Sequence, residues 1–116
     1  MFKKKKINSI CLGSANFGFD YGINKKNAIN KKELKKLLDY AGKNNISFID
    51  TAISYKNSEK KIGFFNKYNF KIITKLPQIP KKIINVESWI INKVQASCHR
   101  LKINNLYGVL IHDTKE

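Results

Sequence analysis

Leu34, Leu37, Leu38 and Ala41 recur at i, i+3, i+4 and i+7, the spacing that lines one face of an α-helix. Asn30, with Glu33 three residues later, supplies a capping-box start for that helix, and Gly42 is placed to stop it. A second helical pattern begins at Ser58, with Ile62 and Phe65 facing inward. A third spans residues 86–101, with Trp89, Ile90, Val94, Ser97 and Leu101 on one side. Between these lie short apolar runs at 7–12, 46–49, 70–74 ("FKIIT") and 106–111 ("LYGVLI"). Their length and their flanking turn residues predict strands. Gly18 and Gly22 mark a loop after the first run, and Pro77 and Pro80 one after the third.

The predicted order is strand, helix, strand, helix, strand, helix, strand. Such alternation implies parallel βα units in a single α/β domain over residues 1–116, with right-handed crossovers. Ile72-Ile73 and Val109-Leu110-Ile111 are expected to be buried on both faces, as in a parallel sheet.

In parallel α/β folds the loops after the strands gather on one face, and active sites lie there. The residues just past the four runs are Gly13-Ser14-Ala15, Asp50, Lys75 and His112. Tyr55 lies in the loop after the second. Adjacent parallel strands are ~5 Å apart, so side chains at neighbouring exits can touch. An Asp50–Lys75 ion pair is the natural consequence. An unperturbed tyrosine is a poor acid at neutral pH, but a nearby ammonium stabilises its phenolate. Such a phenol can protonate a developing alkoxide, while a neutral imidazole holds the carbonyl oxygen. The set suits carbonyl reduction, in which a cofactor delivers hydride to carbon and Tyr55 delivers a proton to oxygen.

Composition qualifies this picture only slightly. Apolar residues make up 42% of 116 residues, enough for a small ordered core. The net charge of +15 raises the question of a nucleic-acid partner. Apart from Lys3–Lys6, though, the cations are scattered, and nearly all are lysine. Arginine, the preferred fork for phosphate and base edges, occurs once, as Arg100. A solvated surface, with neither a nucleic-acid nor a membrane partner, is the expectation. Cys11 and Cys98 fit no metal-ligand spacing. Both are expected to be buried and reduced, which suits the cytoplasm. The basic start is followed by a stretch too short and too polar for export or for spanning a bilayer. Gly13–Gly18 lacks the spacing of a phosphate cradle.

The segment "DTAISYKNSEKKIG" resembles the signature of the aldo/keto reductase family at Asp50, Thr51, Ala52, Tyr55, Ser58, Glu59, Ile62 and Gly63. "IITKL" resembles the strand carrying that family's catalytic lysine, and "GVLIHD" the strand carrying its histidine. "LGSANFGFDYG" resembles the opening strand and loop of bacterial members. The resemblance implies a (β/α)8 barrel of the TIM type, NADPH as cofactor, and a catalytic tetrad of Asp50, Tyr55, Lys75 and His112, with Tyr55 as general acid. It places Ser14, Ala15 and Asp50 near the nicotinamide end. One departure is Lys56, where the family has glycine. Another is length, since a barrel of this type takes about 250 residues. The expectation is therefore a truncated domain holding four strands and three helices, inactive by itself. It would be prone to self-association through its open half-barrel surfaces.

Other residues are read structurally: His99 and Arg100 as complements to a helix C-terminus, Trp89 as core, Asp20 and Tyr21 as turn residues, and Asp113 as loop. Two alternatives compete with the reductase: a basic protein that binds nucleic acid or another acidic surface, and a non-catalytic remnant of the reductase fold.

Overall fold

The computed structural model describes residues 10–18 and 29–113. It contains β1 (Cys11–Gly13), a 3-10 turn (Ala15–Phe17), α1 (Lys31–Lys43), β2 (Phe48–Asp50), α2 (Ser58–Phe65), β3 (Lys71–Leu76), α3 (Val86–Leu101) and β4 (Gly108–Ile111). The four strands form one parallel sheet in the order β1-β2-β3-β4. A sequential order with crossovers of one hand puts every helix on the same side of the sheet, as a barrel requires.

The capping box at Asn30 forms as the sequence predicts: Glu33 N–H donates to Asn30 Oδ1 at 2.9 Å, and Asn30 N–H donates to the Glu33 carboxylate at 3.3 Å. The helix does not stop at Gly42, however. It runs through Lys43 and closes at Asn44, whose N–H reaches the Tyr40 and Ala41 carbonyls. Gly42 serves packing instead, because a side chain there would collide with the Tyr68 ring. In α3, Asn85 caps the N-terminus by accepting from Ser88 N–H at 3.0 Å.

Side-chain alternation along β2 and β3 sorts the sheet into two faces. Ile49, Ile72, Thr74 and Leu76 are buried beneath the helices. Phe48, Asp50, Ile73 and Lys75 occupy the opposite, more open face. Leu34, Leu38 and Ala41 from α1, Ile62 from α2 and Leu101 from α3 join Ile49, Ile72, Phe17 and Phe70 in the core.

Several expectations fail here, each for a local reason. Val109, Leu110 and Ile111 are not buried on both faces but 39%, 50% and 64% exposed, because β4 is the edge of the sheet. Cys11 is likewise exposed, on the other edge strand, and Cys98 is only half-buried; both are free thiols. Trp89 is only half-buried and carries Lys93 over its ring at 5.6 Å. His99 and Arg100 do stand in the last turn of α3, as expected, and Arg100 has a second role, described below. Strands 2 and 3 end later than predicted, so Asp50 and Lys75 lie inside them. Asp20, Tyr21 and the start of the first predicted strand lie outside the described residues. Among the described residues no helix is long and apolar enough to cross a membrane.

Candidate active site

Backbone pairing sets the positions of the four residues at the strand exits. Asp50 pairs in register with Gly13 on one side and Ile73 on the other. Lys75 pairs with Leu110, and His112 N–H donates to the Leu76 carbonyl at 3.1 Å, fixing the residue just after β4. The chain leaving β2 stays attached to β3, with Thr51 N–H donating to Ile73 O at 2.8 Å and Ile53 N–H to Lys75 O at 3.2 Å. It then turns back through Tyr55 N–H to Ala52 O and Ser58 N–H to Tyr55 O. That turn holds Tyr55 above the sheet edge.

The structure brings Asp50, Tyr55, Lys75 and His112 together on this one edge. The Lys75 ammonium donates to Asp50 Oδ2 at 2.7 Å and to the Thr51 carbonyl at 2.9 Å. Its Nζ lies 5.1 Å from the centre of the Tyr55 ring. The His112 ring meets that of Tyr55 edge-on, 5.6 Å between centres. The lysine side chain is 16% exposed and the aspartate 34%, so the pair is sheltered yet reachable.

Ser14 and Ala15 diverge. Ala15 is exposed at the rim. Ser14 is fully buried, and both its amide and its hydroxyl donate to the Asp50 carbonyl, at 3.0 and 2.8 Å. Gly18 allows close approach here, since a Cβ would meet the Tyr55 carbonyl. Lys56 is exposed and sits at φ 48, in the left-handed region. A glycine at this position would adopt that conformation without strain.

Two polar clusters under the site escaped the sequence reading. In the first, Ser58 Oγ lies 2.9 Å from Ser14 Oγ, 3.1 Å from Ser14 O and 3.0 Å from Thr51 Oγ1. In the second, the buried Glu59 carboxylate accepts from Arg100 Nε at 3.0 Å and Nη2 at 2.7 Å, and from Thr74 Oγ1 at 3.2 Å. Ser97 Oγ accepts from the same guanidinium at 3.1 Å. A usable signal was present: the lone arginine of a lysine-rich chain points to a site needing a fork, not a point charge. Gly63 lets α2 reach the backbone of Arg100 and Leu101, where any Cβ would collide. Half of the "DTAISYKNSEKKIG" pattern is therefore scaffold.

Cys11 reports on this site. Although the residue is exposed, partial loss of water around its sulfur pushes the thiol up, the Asp50 charge pushes it further, and Lys75 and a hydrogen bond with the Asp50 backbone partly offset both. Only the thiolate is nucleophilic. Cys11 should therefore be alkylated more slowly than free cysteine at the same pH. Asp50→Asn should speed the reaction and Lys75→Met should slow it. Equal rates in all three proteins would place the thiol away from the pair.

The model of the aldo/keto reductase family matches residues 9–116. Among curated proteins none matches the chain. One solved structure, a Pseudomonas aeruginosa protein assigned to the aldo-keto reductases, is similar over 90% of this chain and 42% of its own, at 26% identity and a TM-score of 0.72. A second from the same organism, assigned likewise, shares the fold at 24% identity and a TM-score of 0.68, over 90% and 40%. The chain thus spans about two-fifths of the length of these structures. With the parallel sheet and three helices matching part of their barrel, the chain belongs to the aldo/keto reductase family.

Proposed function

We propose that the chain carries the proton-delivering side of an NADPH-dependent reductase acting on an aldehyde, ketone or keto-sugar carbonyl. The observation that carries this reading is one ammonium, Lys75, held 2.7 Å from a carboxylate while lying 5.1 Å from a phenol ring. Tyr55 is the general acid and gives its proton to the carbonyl oxygen. Lys75 stabilises the phenolate left behind, and Asp50 and the Thr51 carbonyl keep that ammonium in place. His112, beside the Tyr55 ring, donates to the carbonyl oxygen and orients the substrate.

The residues at the rim fit a nicotinamide. Open space lies beside Gly13, Ala15 is exposed, and Asp50 presents part of its carboxylate. Ala15 and Asp50 would border the ring, with Ser14 bracing them from behind. When bound, the reduced nicotinamide supplies the hydride. The two free thiols suit a reducing, cytoplasmic setting.

The test is NADPH consumption with aldehyde, ketone and keto-sugar substrates. It is run on these 116 residues and on the same chain joined to the rest of a barrel. Turnover is expected only in the second, and turnover in neither would contradict the reading. The exposed apolar edge at Val109–Ile111 further leads us to expect that the 116 residues associate with one another. Size-exclusion chromatography with light scattering should return a mass above 13.4 kDa. A monodisperse monomer with a sharp thermal transition would contradict that.

A further inference from the structure

We propose that Ser58 is a positioning residue, the hub of a one-way hydroxyl chain that sets the Asp50–Thr51 unit so that Lys75 meets the Tyr55 ring; its part in a reaction rests on the reductase reading above. Counting protons fixes the direction of the chain. The Asp50 carbonyl can only accept, so Ser14 Oγ spends its single proton there, at 2.8 Å. Ser14 Oγ, 2.9 Å from Ser58 Oγ, can then only accept from it, and so can the Ser14 carbonyl at 3.1 Å, so the single Ser58 proton goes to Ser14 in either case. Ser58 has spent its own proton, so the 3.0 Å contact with Thr51 is donated by Thr51. One arrangement, Thr51 to Ser58 to Ser14 to the Asp50 carbonyl, satisfies all three contacts. All three hydroxyl residues are 0% exposed. In such a setting hydrogen bonds are strong, and an unpaired partner is costly.

The same dipeptide serves Lys75 from its other side. Asp50 Oδ2 and the Thr51 carbonyl are the two oxygens that accept from the ammonium. The hydroxyl chain grips the Asp50 carbonyl and the Thr51 side chain, one at each end of the unit. Ser58 also donates its amide proton to the Tyr55 carbonyl, at 2.9 Å, closing the turn that carries the phenol. One residue thereby links the turn of the proton donor to the anchor of the ammonium. Without the Ser58 hydroxyl, Thr51 Oγ1 loses its acceptor and Ser14 its donor. The unit can then relax, and Lys75 loses the fixed geometry of its two oxygens.

The experiment is trace acetylation with acetic anhydride, read residue by residue by mass spectrometry. Lys71, exposed two pleat repeats earlier on the same face of β3, is the internal reference. In Ser58→Ala, labelling of Lys75 relative to Lys71 should rise about five-fold, the equivalent of one lost hydrogen bond. Thr51→Val, which keeps the shape and removes the donor, should do the same and serves if Ser58→Ala does not fold. Leu38→Ala, a core variant remote from the chain of hydroxyls, controls for loosening of the fold and should leave the ratio unchanged. An unchanged ratio in the hydroxyl variants, or an equal rise in Leu38→Ala, would overturn the proposal. Turnover is scored separately. An inactive complete barrel whose labelling responds as described would end the reductase reading and leave the hydroxyl chain standing as the anchor of Lys75.

Discussion

Replacing Arg100 with alanine is expected to cost about 3–5 kcal/mol of folding free energy, since it strands a buried carboxylate. The Glu59 side chain is 2% exposed, against 34% for Arg100. Its Oε1 depends on the guanidinium, and Thr74 supplies one further bond to Oε2. Domains are stable by ~5–15 kcal/mol, so the loss is a large fraction of that. Urea denaturation of a complete barrel carrying this chain, followed by circular dichroism, measures it. Arg100→Lys should fall short as well, because an ammonium cannot reproduce the paired Nε and Nη2 contacts. The double variant Glu59→Leu/Arg100→Leu should recover at least half of the loss, because removing both charges removes the desolvation penalty with the attraction. A loss below ~1 kcal/mol in Arg100→Ala would class the contact with ordinary surface pairs and contradict this account.

The largest expected effect on activity comes from removing one oxygen atom. Tyr55→Phe keeps the ring, its edge-on contact with His112 and its place beside Lys75. It deletes only the hydroxyl that carries the proton to be transferred. In a complete barrel kcat should fall by about 10²–10⁴-fold, the usual worth of a positioned general acid. KM for NADPH should move little, because the phenol acts in the transition state. Stability should remain within about 0.5 kcal/mol of the parent. Steady-state kinetics beside a urea melt separates these outcomes. Unchanged turnover would end the assignment of Tyr55.

What the sequence made legible follows from local chemistry. The leucine spacing of α1, its Asn30–Glu33 cap and the start of α2 at Ser58 are set by nearest neighbours along the chain. So is α3, whose predicted span matches the structure. The gathering of Asp50, Tyr55, Lys75 and His112 was legible too, because parallel strands force their exits onto one edge. The exposure of β4 and Cys11 was not. A run such as Val109-Leu110-Ile111 has the same composition whether a further element covers it or not. Gly42 misled for a related reason: the glycine answers to the Tyr68 ring, a contact invisible in the local pattern. The pairing of Glu59 with Arg100 spans 41 positions and leaves no periodic trace. The sole arginine was its only sign.

The central claim is that Lys75, anchored by Asp50, makes Tyr55 a working proton donor. Turnover of Lys75→Met beside the parent, in a complete barrel with an aldehyde and NADPH, tests it most directly. Loss of activity by about 10² or more is the predicted result, with the fold intact by circular dichroism. Undiminished turnover in that variant would contradict the account.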